Sequence, residues 1–158
     1  MSSAGSPRLS VAALLATKPG HRPRLIYRTH PGRRCRPGGR RGLTEADYAR
    51  LLDAAHRQLG GPIVLVWDNL NTHVSEAMAD IVAARSWLTV FRLPPYAHEL
   101  NPVEPVWAHL KRSLANLTKH TLAELTALVK TRLKRMQYRP GLLVGFLVSS
   151  GLQFGPFL

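Results

Sequence analysis

Two carboxylates in this chain stand in sequence frames that suit the binding of a divalent metal. Asp68 directly follows the apolar run of residues 63–67, and Glu104 follows the tripeptide at 101–103. The first frame indicates a carboxylate at the end of a buried strand, the second a carboxylate at the start of a helix. Mg²⁺ prefers oxygen ligands of this kind, and two such ions can assist an in-line displacement at phosphorus. The pair therefore predicts Mg²⁺ or Mn²⁺ held beside a nucleic-acid phosphate.

Each acid also has a purely structural interpretation. The position of Asp68 after a strand is typical of a turn, where the side chain hydrogen-bonds to nearby backbone. Asn101, Pro102 and Glu104 fit the cap, first and third positions of a helix. Pro105 would then be the fourth helical residue and would lack the amide of the first intrahelical hydrogen bond. A helix that starts later, with Pro105 in its first turn, is equally consistent with the sequence.

Hydrophobic periodicity predicts the elements that come before the acids. Residues 8–16 and 24–28 form two strands of a hairpin around the turn Lys18-Pro19-Gly20. Thr44, with Asp47 three residues later, predicts a capped helix start, and a glycine pair at 60–61 ends that helix.

The middle of the chain reads as strand, helix, strand. The run 63–67 shows no polar alternation, so we expect a central strand covered by helices on both faces. Ser75 caps a short helix, and residues 88–91 form the next strand, parallel to the first. Ligands gather beyond the carboxyl ends of parallel strands. Asp68 and Glu104 are therefore expected to meet at one edge of the sheet.

Two helical stripes follow Glu104. Apolar residues recur at helical spacing from 103 to 117 and again from 122 to 136, and Pro140-Gly141 ends the second stripe. Residues 137–158 are then expected to form a C-terminal tail. The apolar run at 142–148 is far shorter than the roughly 20 residues that span a bilayer, so the sequence predicts no membrane anchor.

The composition favours a nucleic-acid partner. The 158 residues include 22 Lys and Arg but 9 Asp and Glu, a formal net charge of +13. Such an excess favours a polyanion through phosphate contacts and counterion release. The 45% hydrophobic content supports a single globular domain. The lone Cys35 rules out an internal disulfide framework and is consistent with a reducing cytoplasm.

Several basic side chains are candidates for contact with nucleic-acid phosphates. Residues 30–43 are rich in glycine, proline and arginine and read as a basic flexible loop, with Arg33, Arg34, Arg36, Arg40 and Arg41 as candidates. A solvated linker explains the loop equally well. Lys111 and Arg112 follow Glu104 on the same predicted helix. His73, five residues after Asp68, is a further candidate, although a structural role is the more common one for a loop histidine.

The combined motif resembles a known family. The matching segments are Trp67-Asp68-Asn69 through Thr72-His73, Leu93-Pro94-Pro95-Tyr96, and Glu99-Leu100-Asn101-Pro102-Val103-Glu104 with Trp107 and Lys111. Together they resemble the DDE transposases of the mariner-like superfamily, in the branch carried by bacterial insertion sequences. The resemblance covers residues 43–117, and the segment 135–142 is similar too.

The resemblance implies a ribonuclease-H-like α/β fold, a mixed sheet flanked by helices. It implies magnesium-dependent hydrolysis of transposon-end phosphodiesters followed by strand transfer into target DNA, in the bacterial cytoplasm at the nucleoid. Asp68 would be the second carboxylate of the catalytic triad and Glu104 the third.

The chain departs from the family pattern at its first carboxylate. In the family this aspartate lies on the first strand of the sheet, yet no Asp or Glu precedes Glu45. The N-terminal helix-turn-helix region is not recognisable either. We therefore expect residues 1–158 to be a single partial catalytic domain that lacks its first strand and is inactive alone. Its partners would be DNA and either a second copy or a complementary transposase fragment.

Two other functions fit the charge. One is a non-catalytic basic DNA-binding remnant that acts as partner of an intact transposase. The other is a structural RNA-binding protein. The acids argue against a pure polyanion binder, because carboxylates at a phosphate-binding edge oppose that role.

Overall fold

A computed structural model describes residues 8–32, 42–118 and 120–151. Its elements are β1 (Leu9–Ala16), β2 (Arg24–Pro31), α1 (Glu45–Leu59), β3 (Ile63–Trp67), α2 (Glu76–Ala83), β4 (Leu88–Arg92), a 3₁₀ turn (His98–Leu100), α3 (Glu104–Leu114), α4 (Leu122–Gln137) and α5 (Pro140–Ser149). The five arginines predicted as a DNA-binding loop and Cys35 lie outside the described residues. No helix in the described part of the chain has the length and apolar character needed to cross a membrane.

Strands β1 and β2 form the predicted antiparallel hairpin, with Ala16 opposite Arg24. Gly20 adopts a positive φ of 74° in the connecting turn, a conformation that glycine tolerates without steric cost. Successive β1 side chains point to opposite faces. Ala12 and Leu14 pack against α1, whereas their neighbours Val11 and Ala13 pack against the cluster built by α3, α4 and α5. The hairpin is therefore covered on both faces.

Helix α1 joins the hairpin to the following strands. Its predicted capping box is present, with the Asp47 amide donating to Thr44 Oγ1 and the Thr44 amide donating to Asp47 Oδ2. Leu51 and Ala55 face the hairpin, and Leu52 packs against β3. One amphipathic helix thus contacts both strand pairs.

Strands β3 and β4 are parallel, as predicted, with Ile63 opposite Leu88. Leu65, on one face, is buried against α1 and α2. On the other face, Val64 is 67% exposed, Val66 40% and Phe91 57%. The expectation that helices cover β3 on both faces is wrong for the described residues. In this part of the chain, helices pack against only one face of the β3–β4 pair.

The four described strands form two separate two-stranded sheets, where one mixed sheet was expected. Lys18 Nζ, just after β1, donates a hydrogen bond of 2.7 Å to the carbonyl of Leu59, the last residue of α1. The end of β1 therefore lies near the start of β3. In the described part of the chain, no ladder of backbone hydrogen bonds joins them.

The C-terminal helices cover the outer face of the hairpin. Thr121 and Glu124 form a second capping box at the start of α4. Helix α5 occupies much of the segment that the sequence indicated as a tail, and its Leu143 and Leu147 are fully buried. Pro140 stands at the first helical position, where its missing amide costs nothing. The proline that was taken to end α4 therefore also starts α5.

Candidate functional site

The Asp68 carboxylate is held in a fixed position at the end of β3. Its Oδ1 accepts a hydrogen bond of 3.1 Å from the Leu70 amide and lies 2.9 Å from His73 Nδ1. The His73 ring also contacts the Asp68 carbonyl oxygen, at 3.3 Å. Among the described residues, no hydrogen bond to the second oxygen, Oδ2, is found, and the Asp68 side chain is 35% exposed. One oxygen is therefore oriented by the protein, and the other faces outward.

His73 is packed between two aromatic rings. It stacks on Trp67, with ring centroids 4.2 Å apart, and meets Tyr48 edge-on at 4.8 Å. Burial lowers the pKa of His73, and the nearby Asp68 only partly opposes this effect. The neutral ring can then donate its Nδ1 proton to Asp68. This geometry supports the structural interpretation of His73, whereas its contact with nucleic acid stays a prediction.

Tyr48 lies close enough to Asp68 for the two to influence each other. Burial raises the pKa of the Tyr48 phenol, and the Asp68 and Asp47 charges raise it further. The phenol therefore stays protonated near neutral pH. Sequence reasoning did not connect Tyr48 with the site, because its helical spacing marks it only as an apolar position of α1.

Glu104 is the first residue of α3. Asn101 shapes this helix start, since its Oδ1 accepts from the Val103 amide and its carbonyl accepts from the Glu104 amide. Pro105 lies in the first turn, so the later of the two predicted helix starts is confirmed. No hydrogen bond or ion pair of the Glu104 carboxylate is found within the described residues, which leaves it available for a ligand. A carboxylate at a helix N-terminus is also stabilised by the helix dipole.

The two acids line the same cavity. It has a volume of about 850 Å³. Residues of β1, β3 and α1 line it, together with Trp107 of α3. Asp68, His73 and Glu104 all lie on its wall. Aliphatic side chains of β1, α1 and β3 make up most of the remaining lining. We call this cavity the strand slot.

The donor set of the slot fits a hard divalent cation only in part. Asp68 and Glu104 offer free carboxylate oxygens, which are the ligands that Mg²⁺ and Mn²⁺ prefer. Among the described residues, however, no group of three or more His, Cys, Asp or Glu side chains is arranged to hold a metal. Two carboxylates would leave most of the coordination sphere to water and substrate.

Other residues of the site lie on exposed surface. Lys111 and Arg112 are exposed on α3, beyond Glu104. Tyr96, in the loop between β4 and α3, has a φ of 63° and is 94% exposed. A non-glycine residue in this left-handed region costs about 1–2 kcal/mol and marks a constrained loop. The sequence signalled this loop only through the two prolines before Tyr96.

A second feature that sequence reasoning missed is a basic cleft between α3 and α4. Arg132, Arg135 and Arg139 recur at helical spacing and line a small cavity together with His109 and Ser113. The spacing i, i+3, i+7 is typical of residues on one helix face. This spacing is the sequence signal that could have indicated the cleft.

The mixed α/β fold is ribonuclease-H-like, as comparisons with solved structures show. The chain has a TM-score of 0.54 and 14% identity to the structure of Mos1 transposase catalytic domain and raltegravir with Mn, covering 93% of this chain and 84% of that one. The corresponding structure with Mg gives a TM-score of 0.52 at 14% identity, over 93% of this chain and 85% of that one. The predicted fold class is confirmed.

The family is shown by sequence. Residues 40–129, more than half of the chain, match the model of the DDE superfamily endonuclease family. The chain belongs to this family, and its resemblance to mariner-like DDE transposases is confirmed. No curated protein matches its sequence.

The chain is shorter than a Mos1 chain that carries DNA. It matches the Mos1 transposase paired-end complex with left transposon end at a TM-score of 0.53 and 14% identity, over 94% of this chain. It spans 55% of the length of that Mos1 chain.

Proposed function

We propose that this chain supplies two of the three carboxylates of a DDE transposase site that cleaves transposon-end phosphodiesters and transfers the strand to target DNA. The observation that carries the proposal is that Asp68 and Glu104, 36 positions apart in sequence numbering, line one cavity. Both lie inside the segment that matches the family. Asp68 at the C-terminal end of β3 and Glu104 at the start of α3 would thus be two of the acids that the chemistry requires.

The metal would be held by Asp68 and Glu104. When bound, Mg²⁺ or Mn²⁺ would activate the attacking oxygen and stabilise the leaving one. The role of His73 is to orient Asp68 through the 2.9 Å contact. A buried partner that fixes a ligand in this way commonly affects metal affinity. Removing it should lower affinity while leaving both carboxylates in place.

DNA is the partner that the charge favours. Lys111 and Arg112 would contact phosphates near Glu104, and further phosphate contacts are proposed for His73, Arg33, Arg34, Arg36, Arg40 and Arg41. A DNA-acting protein of the bacterial insertion-sequence branch would work at the nucleoid in the cytoplasm.

We propose that the 158-residue polypeptide is a single partial catalytic domain and does not cut DNA by itself. Two carboxylates leave the second ion of a two-metal mechanism without sufficient ligands.

The first carboxylate of the catalytic triad would come from a complementary transposase fragment. This fragment would add a β-strand in the strand slot. β1 pairs only with β2, and β3 only with β4, in the described chain, so each presents a free backbone edge to the slot. Such edges are templates for an added strand. With strands about 4.8 Å apart, sheets about 10 Å apart and a rise of about 3.3 Å per residue, 850 Å³ accommodates roughly five residues.

The direction of the added strand follows from its neighbours. The added strand would pair antiparallel with β1 and parallel with β3, because the end of β1 lies near the start of β3. It would give one mixed sheet, with antiparallel pairs on one side of the added strand and parallel pairs on the other, and mixed sheets are common among large sheets. Its C-terminal end would lie beside Asp68, where a carboxylate would complete the acid set.

A second candidate function is a non-catalytic DNA-binding partner of an intact transposase. The net charge of +13 favours it. It differs from the first proposal in one respect, since it requires no metal at Asp68 and Glu104.

The nuclease proposal is tested with purified chain, supercoiled DNA, and Mg²⁺ or Mn²⁺. We expect DNA binding without nicking. Robust nicking that is abolished by Asp68→Asn would overturn the claim that the chain is inactive by itself. Metal binding that is unchanged by substitution of Asp68 and Glu104 would favour the non-catalytic alternative.

The strand slot is tested with a seven-residue peptide of alternating valine and threonine that ends in aspartate. We expect slower hydrogen exchange at the free edges of β1 and β3. A control peptide with a central proline cannot donate at that position and should not protect them. Equal protection by both peptides, or by neither, would contradict strand addition.

A further inference from the structure

A small basic cleft lies between α3 and α4, apart from the strand slot. It has a volume of about 180 Å³. Arg132, Arg135 and Arg139 line it from α4 and the residues after it, and His109 and Ser113 line it from α3. No acidic side chain contributes to its wall. Three arginine side chains therefore line a common space, and no carboxylate is among its lining residues.

Arg132 provides an independent sign of a missing partner. Its Nε is buried and has no hydrogen-bond partner among the described residues. A buried unpaired donor costs about 1–3 kcal/mol, and more when the group is charged. Such a cost is removed when a bound ligand supplies the acceptor.

His109 adds no positive charge to the cleft. Its pKa is lowered, first by burial and then by the charges of Arg112 and Arg139. The neutral ring can donate one hydrogen bond to a ligand. The Ser113 hydroxyl donates to the Leu110 carbonyl at 2.7 Å, so its oxygen remains an acceptor for a protonated ligand oxygen.

We propose that this cleft binds a phosphate group. Arginine presents a planar fork of donors that matches phosphate oxygens in pairs. The cleft is smaller than the roughly 300–1,000 Å³ of sites that enclose drug-sized molecules, so it suits one tetrahedral oxyanion. The nearest source is a nucleic-acid backbone, and the other source is free phosphate.

The position of the cleft fits a backbone phosphate near the acids. His109 and Ser113 lie roughly 8 and 14 Å along α3 from Glu104, at 1.5 Å per residue. Successive phosphates of one strand are about 3.4 Å apart when measured along the duplex axis. With the duplex axis along α3, the cleft would therefore hold a phosphate roughly two to four nucleotides from the one at the acids. This placement rests on the proposed function, whereas phosphate binding itself does not.

The test compares two double variants that remove the same charge. Arg135→Gln with Arg139→Gln alters the cleft, and Lys130→Gln with Lys134→Gln alters α4 positions outside its lining. In titrations with inorganic phosphate followed by NMR, we expect the Arg132 Nε–H signal of the unaltered chain to shift and saturate. The cleft variant should lose this response at least tenfold, and the lysine variant should keep it.

A second arm uses a short DNA duplex at several salt concentrations. We expect the cleft variant to bind at least tenfold more weakly, with a salt slope lower by about 1, while the lysine variant changes less than threefold. If phosphate binds but both variants hold DNA equally, the ligand is free phosphate. An unshifted Arg132 signal in unaltered protein, together with equal DNA affinities, would overturn the proposal. Loss of DNA binding by every variant, with phosphate binding retained, would instead contradict only the proposed function.

Discussion

The β1–β2 hairpin and the β3–β4 pair are both two-stranded sheets, but they are packed in different ways. Helices cover the hairpin on both faces, with Leu25 and Ile26 buried on its opposite sides. The β3–β4 pair is covered on one face only, and Val64 and Phe91 remain exposed on the other. Both proposed metal ligands lie at the open pair or beside it. The difference indicates that the proposed metal site lies beside the less covered of the two described strand pairs.

Helix α1 is what holds the two regions together. Its Leu51 packs on the hairpin and its Leu52 on β3. Arg85, after α2, adds a bidentate pair to Asp53 of α1, at 2.7 and 2.9 Å. The open pair therefore depends on α1 and α2 for its attachment, whereas the hairpin has a second layer of helices.

The largest difference between the regions should appear in their side-chain truncations. Leu133→Ala removes a fully buried side chain under the hairpin and should lower the free energy of unfolding by about 2–5 kcal/mol. Val64→Ala on the open face should cost less than about 0.5 kcal/mol. Urea unfolding measures both. Equal losses would mean that the two regions are packed alike.

A smaller effect should follow when the cap of α1 is removed. Thr44→Ala deletes the hydroxyl that accepts from the Asp47 amide and should cost about 1 kcal/mol. Because α1 contacts both strand pairs, hydrogen exchange should rise in β1 and β3 together. Thr121→Ala at the start of α4 is the matched control, and it should leave exchange in β3 unchanged. A rise in one strand pair alone would contradict the bridging role of α1.

The smallest effect should be a dependence on acid pH through Asp47. Burial would raise the pKa of this carboxyl, but hydrogen bonds from Thr44 and Arg28 hold it below its ordinary value of 3.8. The unfolded chain then binds the proton more readily, so stability falls as the pH drops below about 3.8. Urea midpoints at several acid pH values should decline less steeply for Asp47→Asn. Parallel declines would exclude this carboxyl as a cause.

Local sequence signals predicted much of the framework. The capped start and the glycine end of α1 follow from side-chain and backbone chemistry within a few residues. The bounds of β3 follow from its apolar run. The open face of β3 could not be predicted from its sequence. An uninterrupted run of Ile, Val and Leu looks the same whether or not a helix covers the strand. Helix α5 was missed because Pro140-Gly141 is a common helix terminator.

The two acids of the proposed site could be predicted from the sequence. The residues that surround them could not. Asp68 and Glu104 were recognisable from their flanking residues. The contacts of His73 with Asp68, Trp67 and Tyr48 depend on how α1 packs on β3, and no local spacing encodes that packing. The arginines likewise line a common cleft only because α4 packs against α3, and local sequence does not show that packing.

The most direct test of the account is Mn²⁺ titration of the purified chain, followed by paramagnetic broadening of its NMR signals. The account predicts that low Mn²⁺ broadens backbone amides near Asp68 and Glu104 together. Asp68→Asn and Glu104→Gln should each remove the broadening at both positions, and Glu76→Gln, on α2, should not. Broadening that appears at only one of the two acids, or that survives both substitutions, would contradict a shared metal site.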